Sequence, residues 1–207
     1  MNNIDMVFYI NLDHRNDRRI LIEQELDNMN IIYERYSACL VKYPFGYMGC
    51  TISHIGVLKL AKERGYKNII IFEDDFKFIV DSDTFRQMIN DFFVQHSDYN
   101  VAMLSYNLAT SPPLVKINNL VSEAESASTT SGYIVNHTFY DDLINTFSDT
   151  LFFAEKTLWN GFALDQMWKV LQGAGSKFYI FNTRIGVQRA SISDCGNGIY
   201  IDSKGQY

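Results

Sequence analysis

The segment of the chain most informative about its architecture is Asn68-Ile69-Ile70-Ile71-Phe72-Glu73-Asp74-Asp75. Its four consecutive apolar residues, three of them β-branched, predict a strand buried on both faces, as strands in the middle of a parallel sheet are. Three carboxylates follow directly, at the end of the strand where ligands bind in open α/β sheets. The segment therefore predicts a central strand with a candidate site at its carboxyl end.

Strands and helices are predicted to alternate on both sides of this segment. Further strands are predicted at the apolar runs 7–12, 101–104, 133–135 and 178–181. Helical spacing of apolar residues predicts helices at 51–64 and 84–94, with a glycine-bounded loop at 46–49. The alternation predicts an α/β fold with a mostly parallel central sheet flanked by helices. Because no repeat or composition shift divides the sequence, residues 1–207 are expected to form a single domain.

Composition and charge exclude several classes of protein. The chain has 207 residues, of which 47% are hydrophobic and 20% charged, so it is too apolar for a disordered protein. A formal net charge of −6 without a basic stripe argues against a nucleic-acid partner, which requires neutralisation of phosphates. The first residues lack the pattern of a signal peptide, and no apolar run approaches the ~20 residues of a membrane span. We therefore expect a cytoplasmic protein without a transmembrane segment.

The three cysteines show none of the spacings of zinc motifs. Cys39, Cys50 and Cys195 are an odd number and form no CxxC pair. We expect them to be reduced thiols with no role in a disulfide or a metal site.

The three consecutive carboxylates are the strongest chemical feature of the sequence. Along an extended backbone Glu73 and Asp75 project to one side and Asp74 to the other. Two carboxylates on one side form a hard oxygen site for Mg²⁺ or Mn²⁺, whose remaining positions suit phosphate oxygens and water. The alternative is an exposed acidic turn before the next helix.

Arginines follow the first predicted strand, where Arg15, Arg18 and Arg19 lie at a strand-to-helix junction. Guanidinium groups at such a junction can bind a diphosphate bidentately, with support from the helix N-terminus. The alternative is a solvated helix start whose Asp and Arg side chains neutralise each other. The sequence contains neither GxGxxG nor GxxxxGK[ST], so dinucleotide and P-loop sites lack their signatures.

A third candidate segment is Gly46-Tyr47-Met48-Gly49-Cys50-Thr51-Ile52-Ser53-His54. Glycines before a helix permit close approach of a ligand to the backbone, with Ser53 and His54 in the first helical turn. The alternative is a loop with a capping Thr51 and a structural His54. No GxSxG is present, so a Ser-His-Asp hydrolase is weakly supported.

Together these segments resemble glycosyltransferase family 25, in the same order and with similar spacing. The matching pieces are residues 10–19 (like INLDxRxDR), 49–54 (like GCxxSH) and 71–75 (like ILEDD). Weaker similarities occur at 130–135, 163–165 and 186–194, and the last of these resembles viral and bacterial members.

The resemblance implies a GT-A type, Rossmann-like fold, a UDP-sugar donor and a divalent cation, Mn²⁺ or Mg²⁺. It implies an inverting transfer of a hexose, galactose or glucose, to a hydroxyl group of a glycan or protein acceptor. Two alternatives stay open: a metal-dependent phosphoesterase, and a catalytically inactive relic of the same fold that binds sugar or nucleotide. The oligomeric state is left open.

The resemblance also suggests roles for individual residues. Asp75 is the expected direct metal ligand, with Glu73 and Asp194 as further ligands. Asp165 is the expected catalytic base, and Asp74 is expected to orient the catalytic site. Cofactor-binding roles, for the nucleoside, diphosphate or ribose, are expected of Asn11, Leu12, Arg15, Arg18, Ser53, His54 and Glu73. Sugar rings stack on aromatic faces, and the candidates for such stacking are Tyr47, Tyr133, Trp159 and Trp168.

Overall fold

The computed structural model describes residues 3–42, 45–108, 115–154, 160–195 and 200–201. The helices are α1 (Asn16–Asn28), α2 (Gly46–Glu63), α3 (Ser82–Gln95), α4 (Tyr140–Ala154), α5 (Leu164–Met167) and α6 (Lys169–Gly173), with 3₁₀ turns at His137–Phe139 and Asn160–Phe162. The strands are β1 (Met6–Asn11), β2 (Glu34–Ser37), β3 (Asn68–Glu73), β4 (Phe76–Phe78), β5 (Val101–Met103), β6 (Asn107–Leu108), β7 (Val115–Lys116), β8 (Val121–Glu123), β9 (Ala127–Ser128), β10 (Gly132–Asn136), β11 (Phe178–Phe181), β12 (Gly186–Gln188), β13 (Ser191–Ile192) and β14 (Tyr200–Ile201).

The main sheet has eight strands in the order β2-β1-β3-β10-β5-β11-β8-β7. β1 pairs in parallel with both β2 and β3, and β11 pairs in parallel with β5. β10 lies antiparallel between β3 and β5, and β8 lies antiparallel between β11 and β7. Six of the eight strands therefore run in one direction, which confirms the α/β fold with a mostly parallel sheet.

β3 is covered on both faces, as its sequence predicts. Ile69 and Ile71 belong to a core cluster that includes apolar residues of α2 and α4. Ile70 and Phe72 belong to the opposite cluster, which includes residues of α1 and α3. All four side chains are fully buried. Successive side chains of a strand point to opposite faces of the sheet, so β3 contributes to the apolar layers on both sides.

The local sequence of α3 explains where this helix begins and which of its side chains are buried. The side chain of Asp81 accepts a hydrogen bond from the backbone NH of Thr84 and caps the helix. Its buried side chains recur at helical spacing and are Phe85, Met88, Ile89 and Phe92. The predicted helix is confirmed, with its start at Ser82.

The predicted loop at 46–49 is wrong, because α2 begins at Gly46. The glycines here serve close packing: a Cβ on Gly46 would lie 2.7 Å from the Cα of Cys195. A Cβ on Gly49 would lie 2.4 Å from the carbonyl oxygen of Cys39. α2 can therefore approach both neighbouring segments closely. Within the described part of the chain, no helix has the length and apolarity needed to cross a membrane.

Candidate functional site

A cavity of about 180 Å³ opens at the edge of the sheet where β1 and β3 end. The register of the two parallel strands places Ile10 opposite Glu73, so the residues that follow each strand meet there. The sequence-predicted site residues that line the cavity are Asn11, Leu12, Arg18, Ser53, Glu73, Asp74, Asp75 and Asp194. The structure thus brings together residues from four separate segments of the chain. Arg15, His54 and Asp165 lie outside the cavity lining.

Asp74 is held by two partners, Asn11 at the end of β1 and Arg18 in the first turn of α1. The side-chain amide of Asn11 donates to one carboxylate oxygen at 2.7 Å, and Arg18 donates to the other at 2.8 Å. The same guanidinium lies 3.5 Å from Asp75. Burial raises the pKa of Asp74, although Arg18 and Asn11 act against that shift. Arg18 is therefore the internal counter-ion of the acidic residues.

Asp75 has one carboxylate oxygen without a partner. Gln188 donates to Oδ2 at 3.0 Å, whereas Oδ1 is buried and accepts no hydrogen bond from the described residues. Burial, followed by the nearby charge of Glu73, raises the pKa of Asp75 to about 7. An unsatisfied buried carboxylate oxygen is costly, and a bound cation would satisfy it. The residues present therefore fit a hard divalent ion at Asp75.

Glu73 faces a different set of neighbours. The hydroxyl group of Thr130 donates to its Oε1 at 2.6 Å, and the Nε2 atom of His54 lies 3.3 Å from the same oxygen. Burial alone would raise the pKa of Glu73, but His54 and Thr130 bring it below its usual value. Glu73 is therefore positioned by contacts that Asp74 and Asp75 do not share.

Asp194, near the end of the described chain, pairs with residues that lie between β1 and α1. It binds the guanidinium of Arg15, and the Nε2 atom of His14 lies 3.2 Å from its other oxygen. Arg15 also binds Asp17 at 2.8 Å, and Arg18 donates to the carbonyl oxygen of Ile192 at 2.9 Å. The segment after β12 is thus fastened to the start of α1 by both arginines.

Ser53 connects α2 to the segment that follows β2. Its hydroxyl group donates to the carbonyl oxygen of Gly49 at 2.7 Å and accepts from the backbone NH of Cys39 at 2.8 Å. Ser53 therefore holds one wall of the cavity in place.

Asp165 lies in the first turn of α5. Its Oδ2 accepts a hydrogen bond from the backbone NH of Thr129 at 3.1 Å, and burial raises its pKa.

For two of the four aromatic residues expected to stack on sugars, the predicted role is wrong. Tyr133 and Trp168 are fully buried, and their rings pack edge to face with centroids 5.6 Å apart. They are core residues, because an inaccessible ring cannot bind a sugar. Tyr47 is 8% exposed, and Trp159 lies outside the described residues.

The sequence predictions did not include a cluster formed by Cys50, His54 and Glu73. One potential ligand atom from each of these residues lies within 4.8 Å of the others. The sequence contained a signal for two of its three members, since Cys50 and His54 are four residues apart and therefore lie on one face of a helix. Gln188, which binds Asp75, lies in the segment 186–194 that resembles the family, but it was not predicted to be a site residue.

Comparison with solved structures supports the GT-A type fold. A glycosyltransferase involved in glycosylation of the major capsid of PBCV-1 superposes with a TM-score of 0.54 at 8% identity, covering 91% of this chain and 94% of that one. A197 from STIV superposes with a TM-score of 0.50 at 10% identity, covering 89% and 93%. At such low identity these likenesses show the fold alone.

Sequence comparison gives the family. No curated protein matches the sequence. The model of glycosyltransferase family 25, described as LPS biosynthesis protein, matches residues 44–157, which is more than half of the chain. That match covers α2 and the carboxylate triplet, which both contribute residues to the cavity lining, and it extends through β10. We conclude that the chain belongs to glycosyltransferase family 25.

Proposed function

We propose that this chain is an inverting, metal-dependent glycosyltransferase that transfers galactose or glucose from a UDP-sugar to a hydroxyl group of a glycan or protein. Residues 1–207 would act as one catalytic domain. The observation that carries the proposal is the buried Oδ1 of Asp75, which has no hydrogen-bond partner among the described residues and lies in a cavity that also contains Asn11 and Arg18. A cation site beside a guanidinium group suits the diphosphate of a nucleotide sugar.

Asp75 is the proposed direct ligand of Mn²⁺ or Mg²⁺. Glu73 would act through metal-bound water, because its carboxylate is held by His54 and Thr130. Asp194 would complete the ligand set after release from Arg15. A divalent cation at this position supplies charge neutralisation to the leaving diphosphate.

The arginines are proposed to bind the diphosphate by exchanging partners. Arg18 now binds Asp74, and Arg15 binds Asp194. When cation and diphosphate enter together, the carboxylates gain a metal and the guanidinium groups gain phosphate oxygens, so no charge loses its counter-ion. Asp74 would keep Asn11 oriented toward the nucleoside through the 2.7 Å hydrogen bond between them.

Inversion requires a base on the side of the sugar opposite the leaving group. We assign this role to Asp165, whose pKa is raised by burial and which therefore accepts a proton more readily than an ordinary aspartate. Its hydrogen bond from the Thr129 backbone fixes the carboxylate. In the reaction the acceptor oxygen bonds to the anomeric carbon, its proton passes to Asp165, and UDP leaves with the electron pair of the broken bond.

The proposal includes a cytoplasmic location. The described cysteines are free thiols, two of them half-buried and Cys195 exposed. Free thiols persist in reducing compartments.

The test is UDP release from UDP-galactose and UDP-glucose, with and without Mn²⁺. Asp75→Asn should lower the metal-dependent rate at least about 100-fold, because it removes charge stabilisation worth several kcal/mol. Asp83→Asn is the matched control, since Asp83 is an exposed carboxylate in the first turn of α3. An equal rate in Asp75→Asn, or independence from metal, would contradict the proposal. Hydrolysis of simple phosphomonoesters at a higher rate would favour the phosphoesterase alternative.

A further inference from the structure

We propose that Cys50, His54 and Glu73 form a binding site for Zn²⁺, separate from the oxygen site at Asp75. The ligand atoms of the three residues lie within 4.8 Å of one another. A sulfur, an imidazole nitrogen and a carboxylate oxygen thus converge from α2 and the end of β3. The site shares Glu73 with the proposed transferase site, which uses that carboxylate only through metal-bound water.

His54 has the two-sided arrangement of a metal-bound histidine. Its side chain is fully buried, and Nε2 lies 3.3 Å from Oε1 of Glu73 but makes no well-aligned hydrogen bond to any described residue. Nδ1 lies 2.9 Å from the hydroxyl group of Tyr133. Histidine ligands characteristically use one ring nitrogen for the metal and the other for an orienting partner. A buried nitrogen without a well-aligned partner is costly, and an ion bound between Nε2 of His54 and the carboxylate of Glu73 would remove that cost.

Cys50 is presented to the site by a rigid element. It lies one turn before His54 in α2, which has 18 residues, so both side chains are on one face of the helix. Contact with the Cys195 thiol, together with burial, raises the pKa of Cys50. Binding of a metal ion would convert it to the thiolate and release the proton to solvent.

The chemistry of the three ligands selects the ion. A thiolate and an imidazole favour Zn²⁺ over Mn²⁺ and Mg²⁺, which prefer oxygen ligands. The carboxylate of Glu73 is oriented by Thr130, whose hydroxyl group donates to it at 2.6 Å. Three protein ligands leave the fourth tetrahedral position for water or a further ligand. The site therefore differs in ion preference from Asp75, two residues after Glu73.

The test uses Co²⁺ as a spectroscopic probe on the full chain, after treatment with a chelator and a reductant. We expect one Co²⁺ per chain, a thiolate-to-cobalt charge-transfer band and the visible bands of tetrahedral cobalt, all lost when Zn²⁺ is added. Cys50→Ser should abolish the charge-transfer band. Cys39→Ser, which changes another cysteine of the same cavity, should retain it. A wild-type protein without the band, or an unchanged band in Cys50→Ser, would overturn the proposal.

Two further variants keep the test decisive if Cys50→Ser does not fold. Tyr133→Phe removes only the hydroxyl group that orients His54, and should weaken Zn²⁺ binding about 10-fold, measured by competition with a chromophoric chelator. Unchanged affinity would contradict the role of His54. Asp75→Asn should leave the cobalt bands intact, even if it abolishes metal-dependent transfer. Loss of the bands in that variant would place the ion at Asp75 and overturn the proposal.

Discussion

Arg18 and Arg19 are adjacent in sequence but differ in environment. The side chain of Arg18 is 13% exposed and that of its partner Asp74 is 9% exposed. Arg19 is largely solvated and pairs with Glu23 one turn later in α1. A buried carboxylate that loses its counter-ion is strongly destabilised, whereas a surface pair contributes little.

We therefore expect Arg18→Gln to lower the free energy of unfolding by about 3 kcal/mol, because Asp74 is left uncompensated. Arg19→Gln should have little measurable effect. Urea denaturation of the two variants beside the wild type checks this. Equal losses in the two variants would show that Arg18 is not the internal counter-ion of Asp74.

His96 is a buried histidine remote from the cavity. Its Nε2 atom lies 3.0 Å from the side-chain amide of Asn118, and its ring stacks on Phe92. Burial lowers the pKa of His96, the nearby charge of Asp98 opposes this shift and that of Lys177 adds to it. The folded state therefore binds a proton at His96 less readily than the unfolded state does.

The sign of the pH dependence follows from that difference. As pH falls below the unfolded pKa of about 6.5, the unfolded state takes up more protons, so the stability contributed by neutral His96 is lost. We expect the wild type to lose more stability than His96→Gln between about pH 7.5 and about pH 5. Urea denaturation at both values measures this difference. A loss of the same size in both proteins would contradict the assignment.

At the scale of elements, Phe76 in β4 sets how closely β10 and β12 can approach. Its fully buried ring lies 4.4 Å from that of Phe72, centroid to centroid. A Cβ added at Gly186 would lie 2.1 Å from Cζ of Phe76, and one at Gly132 would lie 2.5 Å from Cε2. Neither strand can carry a side chain at this point unless the ring shifts.

Gly186→Ala should therefore destabilise the protein by about 2 kcal/mol through overpacking. The matched change Gly173→Ala, at the end of α6, meets no atom within 4 Å. It should be neutral or stabilise by up to about 1 kcal/mol, because alanine is the better helix former. Thermal unfolding of the two variants compares them. A stable Gly186→Ala protein would mean that the ring of Phe76 is not confined.

The elements predicted from sequence are those with a strong apolar pattern. β1, β3 and β11 are continuous apolar runs, and α3 repeats its apolar residues at helical spacing, so their positions follow from local sequence. The antiparallel direction of β10 could not be predicted, because an apolar run has the same pattern in both directions. The start of α2 was missed because its glycines, usual in loops, serve close packing here.

The sequence predicted which segments meet at this edge of the sheet, but not how their side chains pair. The carboxylate triplet and Arg18 each follow a predicted strand of a parallel sheet. The sequence therefore places them at the same edge of the sheet, where both line the cavity. The ion pair between Arg15 and Asp194 joins residues 179 positions apart, and no local pattern indicates such a contact. Tyr133 and Trp168 were misassigned because aromatic residues serve both cores and sugar sites, and only tertiary packing separates the two uses.

At the scale of the whole molecule, the sheet connects the fold to the proposed chemistry. β2, β1 and β3 are parallel neighbours, so their carboxyl ends lie at one edge and bring Asn11 and Glu73 to the same cavity. The chain carries a formal net charge of −6, yet the acidic residues of this cavity are held beside Arg18 and Arg15. The arrangement suits an anionic ligand that binds together with a divalent cation. The cation would then replace the arginines as partner of the carboxylates, and the arginines would bind the anion.

The central claim is that a nucleotide diphosphate and a divalent cation bind together at Asp75. Isothermal titration of UDP into the wild type, Asp75→Asn and the control Asp83→Asn, with and without Mn²⁺, tests it most directly. We predict that Mn²⁺ strengthens UDP binding at least about 10-fold in the wild type and in Asp83→Asn, and has no effect in Asp75→Asn. UDP binding that is absent, or equally strong with and without Mn²⁺ in the wild type, would contradict the account.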